Sequence, residues 1–199
     1  IKCQSNLRQQ YIALQGYMSD FNGYHPPGFM PNKWRHAHFL APYAGLRDPF
    51  KGINPYDKSQ VNDHPHIVVD TKGTVFTCPS LQSDRRQNMH RFHTCFAMNQ
   101  WLFLNQQPVR LESHVERASG IVLYADDRVD MGWSPPRSDA KGRISSTHGG
   151  PVVRHGAAPT AFEGGGGNFL FVDGHVEKLA SSRTWGSAGH DLFEPANPP

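Results

Sequence analysis

Gly164-Gly165-Gly166-Gly167-Asn168-Phe169-Leu170-Phe171-Val172-Asp173-Gly174-His175-Val176-Glu177-Lys178-Leu179 is the stretch that decides the fold class. Asp173-Gly174 lies between two runs of residues that fit a pleated, buried surface. That pattern predicts a two-residue hairpin with a type I′ turn, which needs positive φ at both central positions. Val172 then faces His175, Phe171 faces Val176 and Phe169 faces Lys178. One face carries Phe169, Phe171 and Val176, and the other carries Leu170, Val172 and Leu179. The incoming strand is apolar on both faces, so it belongs mid-sheet or beneath cover on two sides. The outgoing strand alternates more openly and reads as nearer an edge.

Upstream, residues 1–21 read as an amphipathic helix. Cys3, Leu7, Tyr11, Leu14, Met18 and Phe21 recur every three or four residues, with Gln4, Ser5, Arg8, Gln9, Gln10 and Gln15 on the other faces. Asn22-Gly23 is a C-terminal stop signal, and Pro26-Pro27 bars continuation. The plain reading of the stripe is a helix packed on the sheet, with Phe169 and Phe171 beneath it. The alternative is a helix that continues upstream and assembles with copies of itself, since Ile1 opens directly into the helical pattern without an initiator Met.

Between these two anchors the chain is rich in turns. Prolines punctuate residues 24–66, with Trp34, Phe39, Leu40, Tyr43 and Leu46 as tethers and one short helix at 34–41. Residues 66–70 and 74–77 read as short strands joined at Thr71-Lys72-Gly73. Residues 84–107 carry aromatic anchors but choose neither helix nor strand. Residues 109–115 and 120–125 read as strands, the second buried and stopped by Asp126-Asp127, and 152–155 as a short one. Residues 130–150 and 181–199 read as loop and polar tail.

Composition narrows the functional classes. The 199 residues are 37% hydrophobic with 19 Gly and 16 Pro, which predicts a modest core under long ordered loops. A net charge of +3 is too slight to argue for a nucleic-acid partner. No run of eighteen apolar residues crosses a membrane. Three cysteines exclude a four-cysteine zinc site and allow one disulfide or none.

Several of these stretches together resemble one family. Cys3-Gln4-Ser5-Asn6-Leu7-Arg8-Gln9, then Tyr17 and Gly23-Tyr24-His25-Pro26, look like the second half of the first helix of prepilin-type proteins. Arg154-His155, followed by Asn168-Phe169-Leu170-Phe171-Val172-Asp173-Gly174-His175-Val176, is similar to the signature of the prepilin-type, processing-associated H-X9-DG branch. Val75-Phe76-Thr77-Cys78-Pro79-Ser80 and Gly120-Ile121-Val122-Leu123-Tyr124-Ala125-Asp126 resemble its internal landmarks. The chain departs from the pattern at one point. Seventeen residues separate His155 from Asp173, and leaving nine residues before Asp173 without a gap places Glu163 at the family's His position.

The resemblance implies an α+β, pilin-like fold: a helix packed on an antiparallel sheet with long loops. Residues 1–23 would be the C-terminal half of the helix, 24–180 the sheet domain and 181–199 a tail. It implies a structural subunit of a cell-envelope or secretion-related filament, like type IV pilins and type II secretion pseudopilins. Its partners would be other pilin-like subunits or copies of itself. It would sit in the envelope or outside the cell, touching a membrane only through an apolar first half of the helix missing here. The family also has cysteines at the positions of Cys3 and Cys78, which implies a bridge between them; Cys78 with Cys95 is the local alternative, and an envelope location permits either.

Sites with chemistry are sparse. His155, Asp173 and His175 are metal-ligand types, but a hairpin turn explains Asp173 and strand exposure explains His175. His36-x-His38, His64-x-His66 and His90-x-x-His93 read as hydrated loop histidines. Asp126, Asp127 and Asp130 form the better candidate, for calcium, although no full calcium loop is present; no other cofactor is expected. No Gly-x-Ser-x-Gly elbow or His-Glu-x-x-His helix occurs. Cys78 has no assignable base, and the Gly164–Gly167 run leads into a strand and not a helix N-terminus. The sequence therefore predicts a protein that is not an enzyme. The alternative class is an extracellular carbohydrate- or surface-binding module, with Trp34, Trp101, Trp133 or Trp185 as its platform.

Overall fold

The computed structural model describes residues 2–26, 36–48, 73–77, 96–99, 110, 117–126, 166–180 and 183. Helix α1 runs Lys2–Asp20 and α2 runs His36–Leu40, followed by a 3-10 turn at Pro42–Ala44. Strands β1 (Phe96–Met98), β2 (Val122–Asp126), β3 (Gly166–Phe171) and β4 (Val176–Ala180) form an antiparallel sheet in the order β1-β2-β3-β4. The fold is α+β, with α1 laid against β3 and β4.

Nineteen residues make α1 about 28 Å long. It has no acidic residue in its first turn and no basic one in its last, so dipole pairing adds nothing and packing must stabilise it. Its buried positions are Cys3, Leu7, Gln10, Ala13, Leu14, Tyr17 and Met18. This corrects the expected stripe: Tyr11 is only partly buried and Phe21 is exposed, while Gln10, expected outside, is fully buried. Gln10 is paired there, its Nε2 donating to the Val75 carbonyl at 2.7 Å. The helix ends as expected. Asn22 takes a left-handed φ of 52°, Gly23 follows at 80°, and the Gly23 N–H closes onto the Met18 carbonyl at 2.7 Å, the long bond of a Schellman cap.

The hairpin is real but its register differs by one residue from the expected pairing. Leu170 pairs with Val176, Phe169 with Glu177 and Asn168 with Lys178. The Phe171 N–H donates to the His175 carbonyl, and the Gly174 N–H to the Phe171 carbonyl. The loop therefore has three residues, 172–174, and only Gly174 among them takes positive φ, at 91°. The local cause is Asp173, whose Oδ1 accepts the backbone N–H of His175 at 3.1 Å. An aspartate used in this way closes its own turn and has no need of the left-handed conformation that type I′ demands.

A one-residue shift exchanges the faces of the returning strand. Leu170, Val172 and Val176 lie on the α1 side, and Phe169, Phe171 and Leu179 on the other with Val122 and Ala125. Phe169 and Phe171 are thus buried away from α1, contrary to the expectation that they sit beneath it. The central placement of the incoming strand does hold: all six residues of β3 are buried between β2 and β4, while β4 is mostly open. β2 is shifted against β3 between Val122 and Tyr124. That irregularity lets the neighbours Leu123 and Tyr124 both enter the α1-side core.

Two other expectations change. Residues 74–77 form a turn and not a strand, with the Thr77 N–H bonded to the Thr74 carbonyl and the Phe76 N–H to Thr74 Oγ1. The buried strand begins at Val122, two residues later than expected, and includes Asp126. Within 84–107, residues 96–98 form β1, and within 109–115, Arg110 bridges to Tyr24. The proposed strands at 66–70 and 152–155 and the loop at 130–150 lie outside the described residues, as does the tail except Arg183, which reaches Glu177 at 3.3 Å.

Candidate functional site

The hairpin tip gathers four of the motif residues, Phe171, Asp173, Gly174 and His175. Asp173 Oδ1 lies 2.6 Å from His175 Nδ1 and also accepts the His175 backbone N–H. The His175 ring stacks on Phe171 with centroids 4.1 Å apart and planes 10° from parallel. The His175 and Asp173 side chains remain open to solvent, at 41% and 36% exposure. From the helix, Tyr11 covers the turn: its hydroxyl donates to the Val172 carbonyl at 3.3 Å. Burial and then the nearby Asp173 carboxylate push the Tyr11 phenol upward in pKa, against a smaller opposing effect of a hydrogen bond with Gln15. An aspartate can orient a histidine for proton transfer. Here the pair closes a turn, and the stacked ring completes the tip.

Asn168 belongs to the same strand but serves the sheet. Its backbone N–H and its Nδ2 both donate to Asp126 Oδ2, at 2.7 and 3.0 Å, and both residues are buried. Asp126 thus spends one carboxylate oxygen on fixing β2 against β3. Its expected calcium partners Asp127 and Asp130 lie outside the described residues, as do His155, Glu163 and the four tryptophans. Among the described residues, no group of three or more His, Cys, Asp or Glu side chains is arranged to hold a metal.

Cys3 is disulfide-bonded. Its partner is Cys78 or Cys95, both outside the described residues. α1 is also tied to the 73–77 turn by hydrogen bonds from Asn6 Nδ2 to the Thr77 carbonyl (2.8 Å) and from Gln10 to the Val75 carbonyl.

A buried polar cluster escaped the sequence reading. His25, His36 and His38 are 0%, 3% and 2% exposed, so the expectation of hydrated histidines at His36-x-His38 is corrected. His25 Nδ1 donates to the Pro26 carbonyl at 2.7 Å, and Tyr124 Oη lies 3.0 Å from His25 Nε2. The His36 ring stacks on Tyr124 at 4.9 Å. Burial lowers the His25 pKa to about 3, its bond to Pro26 opposing the shift, and burial raises that of Tyr124. The signal that could have found it is the apolar setting of Ala37, Phe39 and Leu40 around His36 and His38, since a short helix buried through those residues carries its histidines inward.

No family model, curated protein or solved structure matches this chain.

Proposed function

We propose that this chain is a pilin-like, non-catalytic structural subunit of a cell-envelope or secretion-related filament. The observation that supports it best is the joint between α1 and the terminal hairpin. A nineteen-residue helix lies along an antiparallel sheet, and its Tyr11 seats on the turn that carries Asp173-Gly174-His175. That arrangement unites the two stretches on which the family resemblance rests. The inner face of α1 is occupied by the core, while Lys2, Ser5, Arg8, Gln9, Ile12 and Gln15 face outward. Ile12, at 68% exposure, is the apolar residue on that polar face. In this reading the outer face of α1 meets neighbouring subunits, and an upstream apolar helix anchors or polymerises the protein.

The test uses the natural gene with its own start and an epitope tag. Membrane fractionation with processing of a leader, together with intersubunit crosslinks from an Ile12→Cys variant in cells, is the expected result. A product that is unprocessed, stays in the soluble fraction and forms no crosslinks would overturn the proposal.

A further inference from the structure

The buried His25 is not explained by filament assembly, and its hydrogen bonds define its protonation state. A carbonyl only accepts, so the 2.7 Å contact with Pro26 places the proton on Nδ1. In a neutral ring Nε2 is then an acceptor, and the Tyr124 hydroxyl donates to it across 3.0 Å. The ring is fully buried. It stands two residues after the Schellman cap of α1, and Tyr124 belongs to β2 in the centre of the core. The pair therefore joins the exit of the helix to the sheet. Among the described residues, the titratable groups near it include Tyr124 from β2 and, stacked on the Tyr124 ring, His36 from α2; Arg110 lies over the neighbouring Tyr24 ring at 5.0 Å.

We propose that His25 and Tyr124 form an acid-sensitive latch that holds the exit of α1 to the sheet as long as His25 is neutral. A second proton on Nε2 removes the acceptor for the Tyr124 hydroxyl and places a charge at a fully buried site, where charge is strongly disfavoured. The unfolded chain takes up that proton near pH 6.5, whereas the folded ring does so only near pH 3. Protons therefore bind the unfolded state first. The folded state loses ground as pH falls from about 6.5 toward 3 and is unaffected by this group above that window. Between pH 7 and pH 4 the folding equilibrium constant should drop by about two orders of magnitude on account of His25 alone.

The experiment compares the intact, oxidised chain with His25→Gln, which retains a hydrogen-bonding side chain but cannot charge in this range. Urea denaturation at pH 7, 5.5 and 4 gives the folding constant of each. The expected result is an acid-dependent loss about a hundredfold smaller in His25→Gln than in the parent at pH 4. An NMR titration of the parent imidazoles covers the case in which the variant does not fold. The His25 ring should remain neutral, with Nδ1 protonated, throughout the range from pH 8 to 5. A His25 resonance that titrates near pH 6.5, or parallel acid losses in the parent and the variant, would overturn the latch.

Discussion

Replacing Gly174 with alanine should be costly for two separable reasons. The residue sits at a φ of 91°, and a Cβ built there would lie 2.7 Å from Tyr11 Cδ1 and from Cζ, closer than such carbons approach. Left-handed backbone with a Cβ costs about 1–2 kcal/mol. Displacing Tyr11 forfeits its hydrogen bond to Val172, worth about 0.5–1.5 kcal/mol, together with part of its ring packing, on the order of 1 kcal/mol. The expected sum is about 2.5–4.5 kcal/mol, or roughly 5–18 °C in Tm for a chain of this size. Urea denaturation with the disulfide intact measures it. A Tyr11→Ala background separates the causes: Gly174→Ala should there cost only its backbone strain, about 1–2 kcal/mol. A Gly174→Ala protein as stable as the parent would refute the turn geometry. An unchanged cost in the Tyr11→Ala background would refute the contact between helix and hairpin tip.

Three further perturbations probe the same frame. Phe171→Ala should cost about 3–5 kcal/mol by leaving a cavity on the face away from α1, while Lys178→Ala on the open edge of β4 should stay within about 0.5 kcal/mol in the same melts. Gln10→Ala should cost about 1–3 kcal/mol because it takes the Gln10 Nε2 donor away from the Val75 carbonyl; a neutral result in denaturation would show that the carbonyl finds water. A non-reducing peptide map should pair Cys3 with Cys78, because α1 and the 73–77 turn run in opposite directions, Gln10 to Val75 and Asn6 to Thr77. Reduction should cost on the order of 4 kcal/mol for a loop of that length, and a Cys3–Cys95 peptide would disprove the pairing.

Features with local causes were legible in the residues alone. Asn22-Gly23 ended α1 because a left-handed cap needs only those residues, and Asp173-Gly174 marked a hairpin because a glycine there accepts positive φ. β3 read as central because it is apolar on both faces, and it is buried throughout. The tertiary structure decided what local patterning leaves degenerate. The Asp173 carboxylate closed a three-residue loop, and the resulting one-residue shift exchanged Val176 and Leu179 between the faces. A strand apolar on both sides does not say which side a helix will cover, so Leu170 met α1 where Phe169 and Phe171 were expected. Gln10 could enter the core because the Val75 carbonyl waited there, His25 because Pro26 and Tyr124 receive it, and His36 because its ring stacks on Tyr124. Burial of a polar side chain depends on a partner distant in the chain, and only the folded chain brings that partner into reach.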